Sequence, residues 1–144
     1  MGKLIIGIDC GVNTGFAVKR GTVFSEVTSV KIHQAMARVL ELQAACVAAE
    51  VGLMVYVEDA RLRKWFGPNE SQTRSKLQGA GSVKRDAVIW QDFLRDHQIE
   101  FVMVPPRANM TKTTAEYFKL VTKWQGKTNE HGRDAAMMIV NKRG

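Results

Sequence analysis

The sequence predicts an α/β fold in which a five-stranded mixed sheet is flanked by helices. Three observations support this prediction: short, nearly all-apolar segments of the kind that form strands buried on both faces, longer segments with the apolar period of amphipathic helices, and a β-β-β-α-β-α-β-α-α order of these segments. The chain has 144 residues, of which 45 % are hydrophobic, and this is enough for a real core. We therefore expect residues 1–144 to form a single domain.

The predicted strands are apolar runs bounded by turn residues. Leu4–Ile8 is nearly all apolar, and Gly11–Gly15 after it has the composition of a turn. A tight turn at Arg20-Gly21 is expected to join the second and third strands, and Pro105-Pro106 ends the last one. The five predicted strands are Lys3–Asp9, Phe16–Lys19, Thr22–Thr28, Leu53–Val57 and Phe101–Val104.

Four helices are predicted, over about 31–50, 71–96, 113–124 and 128–141. Gly79 and Gly81 are unfavourable inside the second helix, which suggests a close approach of another backbone or a break. Thr113-x-x-Glu116 matches a capping box that would open the third. The apolar stripes are Ile32, Met36, Val39, Leu40, Cys46 and Val47 in the first helix, Val83, Ala87, Trp90 and Leu94 in the second, and Tyr117, Leu120, Val121 and Trp124 in the third, opposite Lys112, Glu116, Lys119 and Lys123.

Charge and composition narrow the class of partner. The formal net charge is +7, which favours a polyanionic partner, with nucleic acid first. No apolar run approaches the roughly 20 residues of a membrane helix, and Asp9 interrupts the apolar N-terminal run too soon for a signal peptide. We therefore expect a cytoplasmic protein that does not bind membranes, with Cys10 and Cys46 as reduced thiols.

Two acidic residues stand where predicted buried strands end. Asp9 closes the first strand, and Glu58 directly follows Val57. If these strands are parallel neighbours joined by a helical crossover, both carboxylates lie at the sheet edge where sites in α/β folds gather. Two carboxylates so close are unfavourable without a cation, and a hard divalent metal resolves the conflict. Each acid taken alone is more often a capping or exposed end residue.

The last predicted helix carries two more candidate ligands. His131 and Asp134 are three residues apart, so they project from one side of that helix. With the strand-end carboxylates they could hold two metals, an arrangement that suits in-line phosphodiester hydrolysis. The alternative for this pair is a solvated helix terminus, where aspartate is favoured by the helix dipole.

These motifs resemble the RuvC-type Holliday junction resolvases of the ribonuclease H-like superfamily. The opening Ile5–Gly11 followed by Gly15–Val18 is similar to the start of the family, and Val57-Glu58 to its second acidic position. The stretch 131–136 resembles its C-terminal motif of two ligands three apart followed by small residues. Two further segments are similar to the family's glycine-containing long helix and its basic turn: Gln78-Gly79-Ala80-Gly81 and Thr111–Glu116.

The resemblance implies a ribonuclease H-like fold, a homodimer, two magnesium ions in each active site and paired nicks in a four-way DNA junction. It implies Asp9, Glu58, His131 and Asp134 as the metal ligands, with manganese also accepted because His131 supplies a nitrogen. Some relatives carry Asp at the position of His131. The short chain looks more like the compact bacteriophage proteins, which act more broadly on branched DNA; the location would then be the bacterial host cytoplasm.

Basic residues around these motifs are candidates for holding DNA. Lys112 is expected near the scissile phosphate, as a fifth catalytic residue that balances developing charge. The segment after Glu58 mixes cations with aromatic side chains, which suits stacking at an opened junction, although Trp65 and Phe66 could equally fold onto the core. The candidate DNA-binding residues are Arg61, Arg63, Lys64, Trp65, Phe66, Arg74, Lys76, Arg107, Lys112, Lys119 and Lys123.

Three other functions remain open from the sequence. The same carboxylates could serve a ribonuclease H-like nuclease that cleaves structured RNA, as in ribosomal RNA processing. Gly7–Gly11 with Gly15 loosely resembles the phosphate hairpin of actin-like ATPases, but those folds need two large lobes, so we expect no nucleotide cofactor. A non-catalytic nucleic-acid-binding module is the third, and the presence of all four candidate ligands argues against it.

Overall fold

The computed structural model describes residues 2–62, 74–106 and 113–143, with the backbone alone for residues 74–80. The strands are β1 (Leu4–Asp9), β2 (Asn13–Arg20), β3 (Val23–Lys31), β4 (Leu53–Glu58) and β5 (Phe101–Val104). The helices are α1 (Ile32–Ala49), α2 (Arg74–Asp96), α3 (Ala115–Thr122) and α4 (Glu130–Ile139), and a short 3-10 turn covers Ala60–Leu62. None of the described helices is long and apolar enough to cross a membrane.

The five strands form one mixed sheet in the order β3-β2-β1-β4-β5. The meander β1-β2-β3 is antiparallel, whereas β4 pairs parallel to β1 and β5 parallel to β4. The helix α1 provides the crossover between the meander and β4. The structure therefore confirms the predicted α/β fold class, a five-stranded mixed sheet flanked by helices.

The helices cover the two faces of the sheet with separate apolar clusters. On one face α1 and α2 pack on the sheet through Val39, Trp90 and Leu94, against Ile6 and Ile8 of β1. On the other face lies α4, whose Ala135, Ala136 and Ile139 pack with Phe118 of α3 against β1, β2 and β3. Side chains alternate between the faces along a strand, so Ile5, Gly7 and Asp9 of β1 all belong to the α4 face.

The turn predicted at Gly11–Gly15 is wrong in its second half. Only Gly11 and Val12 leave the strands, and β2 already begins at Asn13. Gly15 is a strand residue paired with Asp9, and its lack of a side chain admits α4 rather than bending the chain. The second turn lies at Gly21-Thr22, where Gly21 has a φ of +63°, a conformation that favours glycine.

Two predictions about the first two helices are also wrong. Val47 was placed on the buried stripe of α1 but is 73 % exposed, because the last turn of the helix leaves only Cys46 facing inward. In α2 the predicted core residues Ala87, Trp90 and Leu94 are fully buried, as expected. The helix is continuous from residue 74 to 96, and no atom outside its own helical backbone lies within 4 Å of a β-carbon built on Gly81. Neither a break nor a close approach therefore occurs at Gly81 within the described chain.

The third helix starts one residue late and faces a different way from the prediction. Its N-cap is Thr114, whose hydroxyl accepts the N–H of Tyr117, so the capping box at Thr113 is wrong. The buried side chains of α3 are Phe118 and Thr122. Thr122 tolerates burial because its hydroxyl donates to the Phe118 carbonyl at 2.7 Å. The predicted inward residues Tyr117, Leu120 and Val121 are exposed instead.

Candidate metal centre

Asp9 and Glu58 end neighbouring parallel strands on the same face of the sheet. The register pairs Ile8 with Val57, so the two acidic residues that follow stand side by side. Because strand side chains alternate, both belong to the face that α4 covers, whereas Ile8 and Val57 point into the opposite core. The predicted meeting of two strand-end carboxylate positions at one sheet edge is therefore present in the backbone arrangement.

Glycines seat the first turns of α4 directly on the strands. A β-carbon on Gly7 would lie 2.5 Å from the Ala135 carbonyl oxygen, and one on Gly15 would overlap the carbonyl oxygen of His131. On the helix itself, a β-carbon on Gly132 would lie 3.0 Å from the Thr28 carbonyl oxygen of β3. Any side chain at Gly7 or Gly15 would thus force the helix away from the strands. The backbone of α4 is positioned by contact with β1, β2 and β3.

This seating brings His131 to Asp9. The Nδ1 atom of His131 lies 3.5 Å from Oδ2 of Asp9; the imidazole is half exposed, whereas the carboxylate side chain is only 13 % exposed. Asn129 caps α4 by accepting the Gly132 N–H at 2.8 Å. Gly132 faces β3, so helical spacing puts His131 and Asp134 on other sides of α4. The structure therefore brings His131 to Asp9 and pairs the strand ends that carry Asp9 and Glu58, while Asp134 lies one turn further along α4.

The donor set suits a hard divalent cation, since three carboxylates supply oxygen and the imidazole supplies nitrogen. In this geometry the contact between Asp9 and His131 is formed. Within residues 2–62, 74–106 and 113–143, no three His, Cys, Asp or Glu side chains lie close enough together to hold a metal ion. Asp9, Glu58 and Asp134 each take part in a further interaction in the fold. The residue types fit the predicted metal, and binding it requires the predicted ligands to come closer together than they are in this geometry.

Cys10 ties the two acidic strand ends together, a role not predicted from the sequence. Its thiol donates to the backbone carbonyl of Glu58 at 3.3 Å, across 48 residues of sequence. Burial raises the pKa of this thiol above its ordinary value, and the nearby negative charge of Asp9 and Glu58 raises it further. The thiol therefore stays protonated and donates, which helps to hold the ends of β1 and β4 in register.

Arg61 is held by hydrogen bonds to other residues of the protein. Its guanidinium donates to both carboxylate oxygens of Asp59, at 2.8 to 3.1 Å, and to the side-chain oxygen of Gln91 at 3.0 Å. Asp59 is almost fully buried, and its N–H donates to the Val104 carbonyl. The hydrogen bonds from Arg61 hold the pKa of Asp59 below its usual value. The structure thus gives Arg61 an anchoring contact at the end of β4, and its predicted contact with DNA stays a prediction.

Three further basic residues hold parts of this region in place, a role that the sequence did not predict for them. Arg133 of α4 donates to the Thr113 carbonyl at 2.9 Å and to the carbonyl and hydroxyl of Thr128. Lys19 is buried and donates to the Val140 carbonyl at the far end of α4; burial lowers its pKa. Lys31 donates to the Asn13 side chain at the same sheet edge as Asp9. Only for Arg133 did the sequence offer an indication of such a role, since it lies between the two predicted ligands of α4.

The structure describes only some of the remaining predicted DNA-binding residues. Lys119 and Lys123 are exposed on α3 and its C-cap, as expected. Arg74 and Lys76 belong to α2, where the backbone alone is described. The other candidates lie outside the described residues: Arg63, Lys64, Trp65, Phe66, Arg107 and Lys112.

Among solved structures, the chain is similar to the RuvC structure of Thermus thermophilus. The two share 15 % sequence identity and a TM-score of 0.42, over 92 % of this chain and 88 % of that chain. No protein-family model matches the chain, and no curated protein matches it. A likeness at this level concerns the course of the chain, so the function is argued from the residues themselves.

Proposed function

We propose that residues 1–144 form a single nuclease domain, a divalent-metal-dependent endonuclease that hydrolyses phosphodiester bonds in branched DNA, including four-way junctions. One observation carries the proposal: the paired ends of β1 and β4 put Asp9 beside Glu58, and α4 brings His131 to 3.5 Å from Asp9. A carboxylate-rich edge on a chain of net charge +7 suits a metal that mediates contact with a polyanion.

In the proposed mechanism, Asp9, Glu58, His131 and Asp134 hold the metal. Two magnesium ions, or manganese in their place, would supply activation of water and neutralisation of charge on the scissile phosphate. His131 would bind the metal through an imidazole nitrogen. The N-terminus of α4 lies at the site, and its dipole favours the approach of an anionic phosphate. Lys112 would balance developing charge on the phosphate.

Substrate choice is proposed to depend on the segment after the 3-10 turn. Cations and aromatic side chains at Arg63, Lys64, Trp65 and Phe66 suit bases that are unstacked at a branch point. Trp65→Ala or Phe66→Ala should weaken binding to a junction more than binding to linear duplex. Equal losses on both substrates in a gel-shift assay would count against this role.

From the motif resemblance we further propose a homodimer that makes paired nicks, and an enzyme of the compact bacteriophage type.

The direct test is cleavage of a synthetic four-way DNA junction with Mg²⁺ or Mn²⁺, with products resolved at single-nucleotide resolution. Flap DNA and structured RNA run in parallel separate this function from an RNA-processing nuclease. Asp9→Asn should abolish cleavage while leaving folding and junction binding intact. An active Asp9→Asn protein, free of contaminating nuclease, would refute the metal assignment. Binding without any cleavage under either metal would instead favour a non-catalytic module.

The mixed ligand set gives a second test. His131→Asp should keep substantial cleavage, because an aspartate on the same turn of α4 supplies an oxygen ligand in place of the nitrogen. The balance between metals should shift from manganese toward magnesium. Complete loss of activity in a folded His131→Asp variant would count against an interchangeable ligand at this position.

A further inference from the structure

The exposed side of α3 is an apolar strip that the fold leaves uncovered within the described chain. Leu120 is 78 % exposed, Tyr117 56 % and Val121 39 %. These three residues, here called the α3 strip, lie on adjacent turns of one side of the helix. The helix is anchored through Phe118, which packs against Phe24 with ring centroids 6.4 Å apart, so the strip faces away from the core.

Charged side chains lie beside this strip. Glu116, Lys119 and Lys123 are exposed on the flank next to Leu120, and Lys127 follows in the loop to α4. The Lys123 N–H donates to the Lys119 carbonyl, which ends the helix with both lysines on its outer side. Three lysines against one carboxylate leave a net positive charge beside the apolar strip, which matches a partner that has flat apolar groups on an anionic backbone.

The size of the strip argues against a second copy of the chain. A stable protein–protein interface buries about 800 Å² on each partner, more than three side chains provide. Unpaired nucleic-acid bases need much less, since Tyr117 can stack on one base while Leu120 and Val121 make apolar contacts beside it and lysines contact the phosphates. Paired bases in a duplex hide their faces, so a blunt duplex could use the lysines but not the strip.

The strip is also connected to the candidate metal centre. Arg133 lies between His131 and Asp134 on α4, and its guanidinium donates to the carbonyl of Thr113 at 2.9 Å, just before the Thr114 cap of α3. The start of α3 is therefore fixed to the helix turn that carries the predicted ligands. The strip and the predicted ligands thus lie on helices that are held together at this point.

We propose that the α3 strip binds unpaired bases of the substrate, next to the branch point, while Lys119 and Lys123 contact the phosphates between them. The proposal rests on the nuclease function above and adds a second base-binding surface, separate from the segment around Trp65 and Phe66. The site would accept single-stranded nucleic acid without sequence preference, because every base has an apolar face.

The test measures equilibrium binding by fluorescence anisotropy without divalent metal, so that no probe is cleaved. The probes are a labelled oligothymidine, a four-way junction with unpaired bases at its centre, and a blunt duplex. Leu120→Ser and Tyr117→Ala should each bind oligothymidine and the junction about tenfold more weakly, with the blunt duplex unchanged. Lys119→Gln with Lys123→Gln should weaken all three probes and reduce the salt dependence.

The matched control is Val47→Ser, since Val47 is 73 % exposed on α1, on the opposite face of the sheet. It removes a similar exposed apolar group and should bind every probe as the wild type does. Thermal unfolding checks that each variant folds, and Tyr117→Ala serves if Leu120→Ser does not.

Three results would overturn the proposal. The first is that strip variants bind oligothymidine as tightly as Val47→Ser does, which would leave a protein partner for the strip, and the second is equal losses on single strands and duplex. Wild-type protein that does not bind oligothymidine would overturn it as well. Failure of the nuclease function is seen separately, as wild-type protein that binds through the strip but cuts no probe when metal is added.

Discussion

The carbonyl oxygen of His131 occupies the space that a β-carbon on Gly15 would need. The same β-carbon would come within 2.9 Å of the Asp9 β-carbon, so Gly15 touches two predicted ligands at once. The contact is made by backbone, which cannot give way as a flexible side chain can. The close spacing between β2 and the first turn of α4 thus requires glycine at position 15, whose side chain is a single hydrogen atom.

Gly15→Ala should therefore separate α4 from the sheet and disturb the contact between Asp9 and His131. We expect a loss of about 2 kcal/mol in the free energy of unfolding, as in other overpacked sites, and weaker Mn²⁺ binding measured by calorimetry. Gly81→Ala is the control, because its helical site is open and the substitution should stabilise the protein by about 1 kcal/mol. Unchanged stability and metal affinity in Gly15→Ala would contradict this account of the helix.

The ion pair between buried Asp59 and exposed Arg61 should make stability depend on pH. Hydrogen bonds from Arg61 lower the folded-state pKa of Asp59, so its contribution is complete above the unfolded pKa and is lost as pH falls through the folded value. At neutral pH, Asp59→Asn should cost about 2 kcal/mol, as for hydrogen bonds to charged groups. Denaturant unfolding at several pH values should show the difference from wild type shrinking on acidification, and a constant difference would exclude the mechanism.

Arg133 should hold the starts of α3 and α4 together. Arg133→Met removes its three hydrogen bonds to Thr113 and Thr128, and we expect a loss of about 2 kcal/mol in the free energy of unfolding. Thr128→Val removes only the hydroxyl contact and should cost about 1 kcal/mol or less. Urea unfolding compares the two, and equal losses would show that the bonds to the backbone carbonyls contribute nothing.

Both cysteines should resist thiol reagents in the folded protein. Cys10 and Cys46 are buried, and burial raises the pKa of each thiol, so neither surface access nor thiolate is available. Native protein treated with iodoacetamide near neutral pH should stay unlabelled by mass spectrometry, and denatured protein should take up two labels. Rapid labelling of Cys10 in the native state would mean that the ends of β1 and β4 open easily.

The sheet and its acidic edge could be predicted because their signals are local. Leu4–Ile8 and Leu53–Val57 are continuous apolar runs, which is the pattern of strands buried on both faces, and an acid at the end of each one is visible in the sequence. The two strands proved parallel neighbours, with a crossover helix between them as the chain order indicated. The fold class follows from such segments and their order.

The errors lie where packing overrides local pattern. Gly15 has the composition of a turn, yet it is a strand residue, because what it must accommodate is a helix far along the chain. The sequence pattern of α3 favoured Tyr117 and Leu120 as buried residues. The packing of Phe118 on Phe24 decides instead which side of the helix is buried. A hydroxyl that bonds its own helix lets Thr122 be buried, and no hydropathy pattern indicates that.

The close docking of α4 has a consequence for how this edge can change over evolution. Because glycines at 7, 15 and 132 fix the helix through backbone contacts, the place of residue 131 does not depend on which side chain stands there. The backbone fixes the position of residue 131, and the side chain at that position can be exchanged. In the proposed metal centre, a single codon change at residue 131 would replace a nitrogen donor by an oxygen donor, and the preferred ion would change without the fold being rebuilt.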